Sequence, residues 1–181
     1  EMFSKTQNGT IAHPPVHDNG DAQTIGYACE VMKWFKPTLT VVNMSSVDGC
    51  HGNFTGYLAS MHRADHSVGH LWNYIQTQIP EMAGNTTIIV APECGRNDQP
   101  NAIRDENDWY GYDHSDANAL RVFGMMAGAG VPSNLRIGSE GNPVGIATDV
   151  VPTIAELLGI KSEVMSAGFL NPGTLSLFDR M

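Results

Sequence analysis

Basic side chains are scarce in this chain. Ten Lys and Arg stand against 19 Asp and Glu over 181 residues, a formal net charge of -9. That balance lacks the basic footprint a nucleic-acid groove needs, so no nucleic-acid partner is expected. Anionic substrates stay open, because a bound cation reverses the local field. Long apolar runs are missing too. None approaches the roughly 20 residues that span a bilayer, which predicts no membrane span. The opening residues "EMFSKTQNGT" lack the charged-then-apolar profile of a signal peptide, as a mature chain or a fragment also would. Cysteine is limited to Cys29, Cys50 and Cys94, an odd number at scattered spacing. This excludes a disulfide framework and the paired spacings of a structural zinc site. There is also no G-x-S-x-G elbow, P-loop or G-x-G-x-x-G, so the usual hydrolase and nucleotide signatures are absent.

What remains is an ordinary globular composition, 41% hydrophobic and 16% charged, long enough for one domain with a real core. No repeat or linker divides it, and residues 1–181 read as a single domain. Residues 1–20 are rich in Gly, Pro, Asn and His and read as loop. "DAQTIGYACEVMKWF" has helical spacing behind Asp21 as a cap and stops before Pro37. "TLTVVNM" reads as a strand. From Gly56 to Gln78 an amphipathic helix is expected, with Tyr57, Leu58, Met61, Val68, Leu71, Trp72, Ile75 and Ile79 on one face. Asp65 falls on that face, whereas His62, His66 and His70 fall on the polar side. "TTIIVA" and "LRVFGMMAGAGVP" read as two further buried strands. "TDVVPTIAELLG" is a helix with Thr/Asp as cap, Pro152 in its first turn and Gly159 as terminator.

Helices alternating with strands and no hairpin signal imply an α/β fold, a mainly parallel sheet sandwiched by helices. The expected neighbouring strands are residues 38–43, 86–91 and 121–127. Ligands of such sheets sit beyond the carboxyl ends of the strands, which directs attention to "SSVDGCH", "PECGRN" and the long polar loop around His114. Structureless loops of that length are uncommon without a function. Asp48 and His51 offer a carboxylate oxygen and an imidazole nitrogen, ligands suited to zinc or manganese. The bland alternative is an Asx-turn beside a loop histidine. Glu93 and Cys94 add two more possible ligands, against the alternative of an inert packed thiol. His114, in "YDHSD", is flanked by Asp113 and Asp116, which are placed to orient it or raise its basicity.

The order "KPTLTVVNMSSVDGCH", "GYLASMHRADHSVGHLWNYI", "NTTIIVAPECG", a loop His, "VFGMMAGAGVP" and "ATDVVPTIAELLGI" resembles the C-terminal half of the alkaline phosphatase superfamily. That superfamily holds phosphatases, sulfatases, phosphodiesterases and cofactor-independent phosphoglycerate mutases. The resemblance implies an alkaline-phosphatase-like sheet, incomplete in this chain, and a metal-dependent hydrolase of phosphate or sulfate esters, or the C-terminal part of one. It assigns Asp48, His51 and His114 to one metal, although the first pair is one residue closer than the common D-x-x-G-H form. It sets Glu93 and Cys94 where the family has Asp-His, the ligands of the other metal. Zinc, as one or two ions, is the expected cofactor, with manganese second, since zinc accepts a thiolate and calcium or magnesium does not. The family's nucleophile finds no counterpart here. The expected partners are therefore an anionic ester substrate and an upstream part of the same protein, or a separate chain, completing the fold. The alternative is a catalytically degenerate relative serving as a structural or interaction subunit. The resemblance also implies an extracytoplasmic location, periplasmic or secreted.

Overall fold

The computed structural model describes residues 20–181. The loop expected over residues 1–20 lies outside them, save for Gly20, which opens a helix. The described residues form two compact units, one running from Gly20 to Thr86 with Asn97–Asp113, the other Thr87–Arg96 with His114–Met181.

The first unit is built on two helices, α1 (Gly20–Phe35) and α2 (Phe54–Gln78). Ala22, Ile25, Ala28, Cys29 and Met32 recur every three or four residues along α1 and are buried, the periodicity of one helix face. They form the core with Leu71 and Ile75 of α2 and with Ile79 just beyond it. α1 stops because Lys36 takes a left-handed conformation (φ 46°) ahead of Pro37, which disfavours continued helix before it. α2 starts at Asn53, whose side-chain oxygen accepts the Gly56 N–H at 2.9 Å, satisfying one of the helix's orphan donors.

The buried stripe of α2 differs from the expected one. It runs through Ser60, Ser67, Leu71 and Ile75, while Leu58 and Met61 are exposed. Small serines line its first half, so only the second half presents bulky apolar groups to α1. At about 100° per residue this stripe leaves Asp65, His62 and His66 on the solvent side, where all three are exposed. Asp65 therefore does not share the buried face as expected. His70 flanks the stripe and is half-buried.

The second unit carries β1 (Thr87–Val90) and β2 (Met125–Gly128), then α3 (Val150–Leu157) and α4 (Lys161–Ser166). α3 is the helix expected from "TDVVPTIAELLG". It ends where the Gly159 N–H reaches the Glu156 carbonyl and the Ile160 N–H reaches that of Ala155, with Gly159 left-handed at φ 70°, as helix stops of this kind require.

The sheet overturns the expected fold class. Among the described residues it has two strands, β1 and β2, paired antiparallel from Thr87↔Gly128 to Val90↔Met125. There is no parallel sheet sandwiched by helices, and hence no alkaline-phosphatase-like α/β layer structure. Residues 38–43 are in no ladder, and Leu39 and Val41 are exposed. Of residues 121–127 only the end enters a strand, with Phe123 and Met125 exposed. The physical reason lies in the connections. A parallel pair needs a crossover, usually a helix, and the segment between β1 and β2 contains only the short 3-10 turn Asn118–Leu120. Helix α2 does precede β1, but the segment before it joins no sheet. No helix of the described residues is long and apolar enough to cross a membrane.

Candidate metal site

The segment carrying Asp48 and His51 is fixed from both sides. At its start the carboxylate of Asp21, in the first turn of α1, accepts the backbone N–H of Ser45 at 2.9 Å and that of Ser46 at 3.2 Å. Asp21 is buried, and these bonds answer the demand that a buried carboxylate be paired. The chain then turns through bonds from Gly49 N–H to the Ser45 carbonyl and from Cys50 N–H to that of Val47. The Cys50 sulfur lies 3.4 Å from the Ser46 carbonyl oxygen and 3.5 Å from the Ser60 hydroxyl on α2.

On the far side, the loop of residues 97–113 folds back over His51. The Asn101 amide donates from Nδ2 to the His51 carbonyl at 3.1 Å, and its Oδ1 accepts the Asp113 N–H at 2.9 Å. The Asn101 N–H also reaches the Gly111 carbonyl, and the Phe54 N–H reaches that of Tyr110. The Phe54 and Tyr112 rings meet at 5.1 Å. Gly111 is required there: a Cβ on it would lie 2.2 Å from the His51 carbonyl oxygen.

Held this way, the His51 ring lies between two carboxylates. Nε2 stands 3.2 Å from Asp48 Oδ1, and Nδ1 stands 3.0 Å from Asp113 Oδ1. His114 is the next residue in the chain after Asp113. Asp48 is exposed and His51 half-buried, so this pair is open to solvent, and His114 is exposed in its own unit.

The pair offers one carboxylate oxygen and one imidazole nitrogen, both ligand types found in catalytic zinc sites. Ligand atoms at about 2.0–2.2 Å from zinc stand roughly 3.4 Å apart across a tetrahedral angle, close to the Asp48–His51 separation.

Glu93 and Cys94 lie in the second unit. They follow β1, Glu93 exposed and Cys94 half-buried, and none of the three cysteines forms a disulfide. The residue beside them has a packing role. The Gly95 N–H donates to the Ala119 carbonyl at 2.7 Å, and a Cβ there would lie 2.6 Å from the Arg121 carbonyl oxygen. With no parallel sheet, the argument that placed these residues at neighbouring strand ends loses its basis.

Two contributors escape a linear reading. Asp21 reads as a helix cap, yet it anchors the turn before Asp48. Asp113 reads as a partner for its neighbour His114, yet it faces His51, 62 positions away. Comparison with known protein families, curated proteins and solved structures returns no match.

Proposed function

We propose that Asp48, His51 and His114 hold one divalent cation, zinc in first place and manganese in second, and that the chain serves a metal-dependent hydrolase of phosphate or sulfate esters. The observation that carries the reading is the solvent-open His51 ring, with Nε2 3.2 Å from Asp48 Oδ1 and Nδ1 3.0 Å from Asp113, the residue that precedes His114 in the chain. The ester class comes from the likeness of the motif order to the alkaline phosphatase superfamily; the metal site itself needs no family and no parallel sheet. A bound divalent ion supplies Lewis acidity to an ester oxygen and offsets its charge, which a surface of net charge -9 would otherwise repel. The protein's part is to hold the ligands: Asp48 contributes charge, and His51 and His114 contribute neutral nitrogen. The nucleophile comes from outside the three, from further sequence of the same protein or from a separate chain.

The test is hydrolysis of aryl phosphate and aryl sulfate monoesters by the protein with its partner sequence present. Turnover is expected to vanish on chelation, return with zinc, and be absent from an Asp48→Ala/His114→Ala double variant. Zinc binding without turnover on either ester would reduce the function to that of a metal-stabilised interaction subunit. Turnover untouched by chelator and by the double variant would remove the proposal.

A further inference from the structure

Resting on the metal-binding reading, we infer that Asp113 is a positioning residue that fixes His51 as an Nε2 ligand and strengthens its hold on the cation. An imidazole that binds a metal through one nitrogen needs its other N–H engaged, because an unanchored ring rotates and exchanges tautomers. Metal-ligating histidines are accordingly found with a carboxylate or carbonyl on the second nitrogen, which sets the tautomer and raises the basicity of the first. His51 has this arrangement. Asp113 Oδ1 faces Nδ1 at 3.0 Å, while Nε2 points to the side where Asp48 Oδ1 stands at 3.2 Å.

The placement of Asp113 is built in rather than incidental. Its N–H is bound by Asn101 Oδ1, and the same amide holds the His51 carbonyl through Nδ2. Its carbonyl accepts the Asn97 N–H at 2.7 Å. One side chain thus clips the backbone of the ligand to the backbone of its orienter, and the close approach of Gly111 to His51 leaves the loop little room to shift. Asp113 also directly precedes His114 in the chain.

The experiment is a competition titration of zinc into the full chain, with cobalt(II) as a spectroscopic stand-in, for the wild type and for Asp113→Ala, Asp113→Asn and Asp48→Ala. Far-UV circular dichroism accompanies each variant. Asp113→Ala is expected to weaken zinc binding about 10–100-fold and to alter the cobalt d–d bands. Asp113→Asn keeps an oxygen acceptor without the charge, and its affinity is expected between the two. Should Asp113→Ala fail to fold, the amide variant carries the test alone. Wild-type affinity and an unchanged cobalt spectrum in the Asp113 variants, alongside weakened binding by Asp48→Ala, would overturn this inference and leave the metal site standing. A wild type that binds no better than Asp48→Ala would bring down the site and the inference together.

Discussion

The carboxylate of Asp149 is buried and faces the Arg180 guanidinium, with Nε 2.5 Å from Oδ2 and Nη2 3.0 Å from Oδ1. It also accepts the Ile146 N–H at 2.9 Å. Hydrogen bonding from Arg180, then from Ile146, holds its carboxyl below the ordinary range against the opposing effect of burial. Asp149→Ala is expected to destabilise the second unit by about 1–3 kcal/mol. Arg180→Ala is expected to lower the melting temperature further, because it strands a buried charge, and the double variant less than the sum. Nearby, Lys161 lies 3.0 Å from Glu156 and 2.6 Å from Asp179. Hydrogen bonds from Lys161 and the Ser176 N–H bring Asp179 down to about 2. Each of these carboxyls binds its proton less readily folded than unfolded. Their stabilisation is complete above the unfolded range near pH 4 and drains as pH falls through the lowered values, about 2 for Asp179. A melting series over that interval checks the sign, and Asp179→Asn is expected to flatten it.

His70 behaves differently because it has no such partner. Its Nε2 is buried without a hydrogen bond, and burial, then the neighbouring His66, push its pKa below the usual value. The folded chain therefore resists protonating it, so its contribution is full above about pH 6.5 and is lost as pH falls through the lowered pKa. Replacing His70 by Leu is expected to be neutral or stabilising at pH 7 and to remove that loss between pH 7 and 5, as read by thermal melting.

Among the elements, helices were legible where bulky apolar residues kept the period. Ile25, Ala28 and Met32 mark α1, and the run from Val150 to Leu157 with Gly159 marks α3. All of α2 was legible as a helix, but the buried face of its first half was not, because its buried positions are Ser60 and Ser67, which no hydrophobicity pattern selects. β-branched runs misled for a related reason. "TLTVV" has the composition of a strand but no ladder partner, and composition alone does not supply one. The loop of residues 97–113 owes its path to contacts with His51 that only the folded chain displays. Gly111→Ala tests this directly. Its Cβ would meet backbone rather than a yielding side chain, so zinc affinity is expected to fall while far-UV circular dichroism stays close to that of the wild type.

Taken as a whole molecule, the chain kept its helices and lost its expected sheet. Short runs such as "TIIV" carry no mark of parallel or antiparallel pairing, and the connection that decides it is a long loop rather than a crossover helix. The Asp48–His51 pair does not depend on that sheet, because its geometry comes from loops: both sit on a turn pinned by Asp21, and Asp113 ends a loop clipped by Asn101. Asp48, His51, His114, Glu93 and Cys94 were singled out by residue type and grouped by expected strand ends and by the family resemblance, whereas the contacts of Asp21, Asn101 and Asp113 join residues distant in sequence. The most direct test of the account is the metal content of the purified chain, with zinc, manganese and iron measured together for the wild type and for Asp48→Ala/His114→Ala. One zinc or manganese ion per wild-type chain, and none in the double variant, is the predicted result. Equal content in the two proteins, or none in either after zinc is supplied, would contradict it.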